Sequence, residues 1–209
     1  MSTVEPKDAR VSALRARILD AARRIVTRDG IDALSMRKIA DAIGYSPASL
    51  YLHFEGRDAI ARALGREGFA QLLARLQPCT EIEDTRARLH ALAHAYVAFG
   101  CAHPQTYRLM FLPERGQCDE DQAQGPALEA RPDHEAVAIT RLFADAFAPV
   151  FAEPAPLARA LWALLHGVVA FSLAGPAFAP ESSGLLAIDA ALDGWIGAGA
   201  AQKTRSDAT

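Results

Sequence analysis

Pro47, Ala48, Ser49, Tyr51 and His53 place a hydroxyl, a phenol and an imidazole within seven consecutive residues. These groups can donate and accept hydrogen bonds and pack against flat apolar surface. The chemistry they suit is recognition of a ligand, and its nature depends on the elements that hold them. The surrounding stretch, residues 35–54, reads SMRKIADAIGYSPASLYLHF. Ser35 is a good N-cap, and Met36, Ile39, Ala40 and Ile43 recur at i, i+3, i+4 and i+7, one apolar stripe. Gly44 sits where a helix end favours a residue tolerant of positive φ. Ser46 then caps a second helix, with Pro47 at the first position, where a missing N–H costs nothing. Leu50 and Phe54 share the inner face of that helix, so the five residues above are left on its outer surface. Two short helices joined by a glycine-containing turn form a helix-turn-helix, whose second helix can enter a DNA major groove.

Bond-making chemistry has no comparable support. The sequence has no GxSxG elbow, no Walker loop, no dinucleotide fingerprint and no HExxH. The run GWIGAGA at 194–200 follows no strand pattern and is expected to fray the end of the last helix. His90, His94 and Cys101 lie at i, i+4 and i+11 on one side of a helix, and two histidines at i, i+4 can share zinc or nickel. Cys101 is about two turns beyond His94, too far for one ion, and the sequence offers no obvious further ligand. The expectation is a surface stripe with no metal, no cofactor and no enzymatic activity.

Composition agrees with a binding protein of globular type. Of 209 residues, 51% are hydrophobic and 22% charged, and the net charge is −3. The charge is unevenly placed: residues 1–68 hold 12 Lys and Arg against 9 Asp and Glu, residues 69–209 hold 10 against 16. A mildly basic front and an acidic back suit a chain that presents one end to phosphates. A strongly basic, architectural DNA binder is disfavoured by the same numbers. Cys79, Cys101 and Cys118 form no CxxC pair, which points to a reducing compartment. The first residues, MSTVEPKDAR, contain no apolar run, so no secretory signal is expected and the chain is read as cytoplasmic.

From Arg10 to about Gly68 the chain resembles the DNA-binding domain of the tetracycline-repressor-type (TetR) regulators. The resemblance rests on Ile18-Leu19-Asp20-Ala21-Ala22, Gly30, Ser35-x-Arg37-x-Ile39-Ala40, Gly44, Ser46, Leu50-Tyr51-x-His53-Phe54 and Arg57. It implies that Ser35, Arg37, Ser46, Pro47, Ala48, Ser49, Tyr51, His53 and Arg57 face double-stranded operator DNA. Arg37 would contact a base or phosphate; a bidentate pair to guanine is worth ~1–3 kcal/mol of discrimination. Pro47, Ala48 and Ser49 would lie at base edges, the first two against thymine methyls. Tyr51, His53 and Arg57 would hold phosphates, Arg57 from a helix N-terminus. Helix 1 is expected over residues 12–28, with Arg17, Arg24 and Arg28 on a solvated face, and helix 4 from Arg57 to about Leu76 as the lever to the second domain.

The second domain is expected to be helical, responding to a small-molecule effector. Its motifs TYRLMF, residues 106–111, and Leu161-Trp162-x-x-Leu165-His166-Gly167 resemble a Trp-His-Gly subgroup of TetR C-terminal domains. Aromatic and sulfur side chains on helices that should pack together make a pocket candidate: Tyr96, Phe99, Tyr107, Met110, Phe111, Phe143, Phe147, Trp162 and His166. Residues 113–132, rich in Gln, Gly and acidic groups, read as a surface loop. Residues 160–180 lack any charged side chain, but His166 and Gly175-Pro176 interrupt them, so a helix buried in a bundle is expected rather than a membrane span. Helices at 157–173 and 183–196 are expected to form the dimer contact as a four-helix bundle, through Leu161, Leu185, Leu192 and Trp195.

The expected protein is therefore all-α: arm 1–11, helix-turn-helix head 12–58, effector-binding and dimerisation bundle 59–200, tail 201–209. Its expected work is that of a homodimeric repressor released from a palindromic operator by its effector. The rival reading is a small-molecule-binding protein or enzyme on the same scaffold that does not read DNA.

Overall fold

The computed structural model describes residues 7–111, 134–175 and 181–206, and among them there are helices and turns but no strand. The chain runs α1 (Lys7–Asp29), α2 (Met36–Ile43), α3 (Pro47–Tyr51), α4 (Arg57–Leu76), α5 (Thr85–Ala102), α6 (Pro104–Met110), α7 (His134–Phe147), α8 (Pro154–Ala174) and α9 (Glu181–Ser206). Short 3-10 turns occupy Ile31–Ala33 and Gln77–Glu81. The fold is all-α, as the periodicities require.

The residues divide into two compact units. The first holds α1, α2, α3, α4 as far as Gly68, and α6 from Gln105. Its core is Ile18, Ala21, Ala22 and Ile25 of α1, Ile39 and Ala40 of α2, then Leu50 and Phe54. Ile60 and Leu64 of α4 and Leu109 of α6 complete it, so this core reaches past residue 58. Each Leu or Ile wholly buried there contributes about 1.5–3 kcal/mol. Gly65 is a close-approach position: a Cβ there would stand 2.7 Å from the Leu109 carbonyl oxygen, so only glycine lets α4 and α6 meet.

The second unit holds the remainder of α4 from Phe69, with α5, α7, α8 and α9. Leu89, Leu92, Ala93 and Tyr96 of α5 pack with Ile139, Phe143 and Phe147 of α7, Leu161, Leu165 and Val169 of α8, and Ile188 and Leu192 of α9. Leu161 and Leu192 are therefore core residues of the chain itself, out of reach of a partner subunit. Leu185 and Trp195 are half-buried, the Trp195 ring 6.2 Å from that of Phe147.

Several boundaries differ from expectation for local reasons. α1 starts at Lys7, inside the expected arm, because no breaker lies between Lys7 and Ser12. α8 starts at Pro154, since prolines are tolerated in a first turn that needs no N–H partner. α9 runs through the glycines at 194–199 and on to Ser206, into the expected tail. A Cβ at Gly199 would lie 2.5 Å from Phe151 Cζ and 2.6 Å from Val150 Cγ1, so this glycine admits a close neighbour rather than fraying the helix. The loop expected at 113–132 lies outside the described residues.

Candidate nucleic-acid interface

Three backbone devices set the angle between α2 and α3. The Ser35 hydroxyl accepts the Lys38 N–H at 3.2 Å and starts α2. Gly44 ends it in the left-handed region, φ +73°, and the Tyr45 N–H returns to the Ala40 carbonyl at 3.0 Å. Ser46 then accepts the Ser49 N–H at 3.3 Å, and the two serine hydroxyls lie 2.9 Å apart. α3 is only five residues long, so its orientation depends on Leu50 and Phe54, both inserted into the first core.

That insertion turns the other side of α3 outward. Pro47 and Ala48 are exposed, Tyr51 is 56% exposed, and Ser49 and His53 are half-exposed. Arg37 stands out from α2 with its side chain 89% exposed, touching Asp41 only at 4.0 Å, a pair too loose and too solvated to hold it. Lys38 is exposed next to it. Leu52, also exposed, follows Tyr51 on the outer side. A pyrrolidine ring, a methyl, a phenol, an imidazole and a guanidinium thus stand on consecutive turns of a supported helix pair.

Arg57, expected at a phosphate, also bonds within the first unit. Its Nη2 donates to the Ile31 carbonyl at 3.1 Å, and its Nε is buried. The guanidinium therefore braces the 3-10 turn Ile31–Ala33 inside the first unit, because that turn leaves a carbonyl within reach of the α4 N-terminus.

Sequence reasoning missed the braces from α1. Arg15 donates to the His53 carbonyl at 3.0 Å and stacks over the Phe54 ring at 4.1 Å. Arg17, expected on a solvated face, donates to the Ile43 carbonyl at 3.1 Å and lies 5.2 Å from the Tyr45 ring. Both arginines tie α1 to the end of a helix whose last carbonyls lack intrahelical donors. The i, i+2 spacing of Arg15 and Arg17 gives no hint of this, since their acceptors lie 38 and 26 residues away, respectively.

The aromatic groups expected to form one pocket belong to different units: Tyr107, Met110 and Phe111 to the first, Tyr96, Phe99, Phe143, Phe147, Trp162 and His166 to the second. Within the second, Tyr96, Phe143 and Phe147 are packed core, with Tyr96 and Phe143 rings 6.3 Å apart. Trp162 and His166 are half-exposed on α8. A separate cavity of ≈ 410 Å³ in this unit is bounded by Leu73, Gln77, Arg88, Arg141, Leu142 and Asp145. Arg88 is held at its rim by bonds to the Ile82 carbonyl and the Thr85 hydroxyl.

Residues 18–64 match the family described as bacterial regulatory proteins, tetR family, and residues 89–193 match the tetracyclin repressor-like C-terminal domain. The chain belongs to the TetR family. Among relatives of this TetR-family chain, UidR of Escherichia coli, an HTH-type transcriptional regulator, is 27% identical over 76% of the chain and 94% of its own length. YobS of Bacillus subtilis, an uncharacterized HTH-type transcriptional regulator, is 28% identical over 49% of the chain. The chain spans about half, 54%, of YobS. A Rhodococcus sp. RHA1 protein of unknown function has a solved structure with TM-score 0.64 and 29% identity, covering 86% of this chain and 93% of that one.

Proposed function

We propose that this TetR-family chain is a homodimeric transcriptional regulator, acting as a repressor, that offers α3 to the major groove of operator DNA. The observation that carries the reading is the outward row Arg37, Pro47, Ala48, Tyr51 and His53 on a helix pair capped at both starts. Arg37 reads or grips a guanine edge or phosphate; Tyr51 and His53 hold the backbone and set register. Pro47 and Ala48 offer apolar surface to thymine methyls.

Duplication follows from size. A helix of five residues buries little surface, and two heads about one helical turn apart are needed for useful affinity. The second unit supports such pairing. α8 is long and apolar enough to cross a membrane by length and composition, yet only 22% of that stretch is buried within the chain. Phe171 is 57% exposed on α8 and Leu186 69% on α9, beside Ala187, Ala190 and Gly194, also exposed. A second copy covers these faces. The effector belongs to the second unit, whose half-open cleft beside Arg88 and Arg141 has a volume of ≈ 410 Å³.

The test is fluorescence anisotropy on DNA from the promoter beside the gene. Wild-type affinity should fall as salt rises. Arg37→Ala should weaken binding about 5- to 150-fold, the ~1–3 kcal/mol of a bidentate pair, and Tyr51→Ala should weaken it with an unchanged circular dichroism spectrum. Wild-type affinity in both variants would overturn the assignment of this face.

A further inference from the structure

α5 and α9 bring together groups that lie about a hundred residues apart in sequence. His90 and His94 stand one turn apart on α5, and Asp189 reaches them from α9. Asp189 Oδ1 lies 2.8 Å from His90 Nδ1 and 2.8 Å from His94 Nε2. The ligand atoms of all three residues fall within 4.8 Å of one another.

Both ring nitrogens of His90 face carboxylates from α9. His90 Nε2 is 2.9 Å from Asp193 Oδ1, and Asp193 is gripped by the Arg86 fork, Nε to Oδ1 at 2.8 Å and Nη2 to Oδ2 at 2.7 Å. A carboxylate held by arginine only accepts, so His90 Nε2 can donate to Asp193 while Nδ1 offers its lone pair to a metal. The Nδ1 edge of His90 and the Nε2 edge of His94 then converge on Asp189 Oδ1, where a cation would meet all three donors. Asp193 stands behind His90 as the outer carboxylate that orients a metal-binding imidazole, with Arg86 orienting Asp193 in turn.

We propose that His90, His94 and Asp189 form a binding site for one divalent transition-metal ion of borderline softness, of the Zn²⁺ class, clamping α5 to α9. Two imidazoles and one carboxylate are a zinc-type donor set and a poor one for Mg²⁺ or Ca²⁺, which prefer oxygen. Tetrahedral coordination at ~2.0–2.1 Å sets ligand atoms about 3.4 Å apart, so each His–Asp pair opens from 2.8 Å by less than 1 Å while the two imidazole nitrogens, within 4.8 Å, settle to the same spacing. All three side chains are partly exposed, which lets the ion enter and leaves its fourth position to water.

The experiment uses the full-length chain, stripped with chelator, titrated with Zn²⁺ and, in parallel, Mg²⁺ by isothermal calorimetry, with Co²⁺ visible absorption as a report on geometry. The site predicts one Zn²⁺ per chain, tetrahedral Co²⁺ bands, a raised Tm with Zn²⁺ and no response to Mg²⁺. His94→Gln and Asp189→Asn should abolish the Co²⁺ bands, and Asp193→Asn should weaken Zn²⁺ about 10- to 100-fold. His94 is exposed, so His94→Gln retains the fold, which circular dichroism verifies. Absence of bound Zn²⁺ in the wild type, or Zn²⁺ affinity and Co²⁺ bands unchanged in His94→Gln, would overturn the proposal.

Discussion

Arg57, assigned to DNA by the sequence, also makes a bond inside the fold. Its bond to the Ile31 carbonyl and its buried Nε tie it to the packing of the first unit. Arg57→Ala should therefore cost about 1–3 kcal/mol of stability in urea unfolding. It should lower DNA affinity less than Arg37→Ala does, when both are measured well below their transitions. His166 carries a pH signature of its own: desolvation by burial lowers its pKa from the ordinary 6.5. The unfolded chain then takes up the proton first, so stability is full above about pH 6.5 and falls as pH drops through that value. Thermal melts between about pH 7.5 and 5.5, which bracket the ordinary histidine value, should lose less stability in His166→Gln than in the wild type. An identical pH slope in both proteins would show that His166 does not drive it.

The helix-turn-helix was legible because its signals are local. Two serine caps, a proline at a first turn, a left-handed glycine and the stripe Met36, Ile39, Ala40 all act within a few residues of where they are read. The outward face of α3 followed by subtraction once Leu50 and Phe54 were placed inside. What escaped the sequence depends on distant partners. Arg17 read as solvated, Arg57 as phosphate-facing and Arg15 was not singled out, because the carbonyls of Ile43, Ile31 and His53 come from distant positions. Gly199 read as a fraying residue because nothing in GWIGAGA announces the approach of Val150 and Phe151. His90 and His94 read as a stripe short of ligands because Asp189 lies 95 residues beyond His94. Leu161 and Leu192 were assigned to a subunit contact on an apolar period alone, which marks a buried face without saying what buries it.

At the scale of the whole molecule, the faces left uncovered on α8 and α9 are the ones that matter. Phe171→Glu combined with Leu186→Glu places charge on exposed apolar surface and spares the core, so each chain should still fold. Sedimentation should find the wild type dimeric and this double variant monomeric, with operator affinity weakened because one head then acts alone. A variant that stays dimeric would move the subunit contact elsewhere. Basic residues gather in the first 68 positions and acidic ones beyond, so the charge of the chain favours contact with DNA through residues 1–68. The most direct test of the central claim is a hydroxyl-radical footprint of the wild-type protein on the promoter beside its gene. The account predicts two protected patches on one face of the duplex, their centres about 34–36 Å or a multiple apart, arranged about a palindrome. Protection of a single patch, or none at protein concentrations that saturate anisotropy, would contradict it.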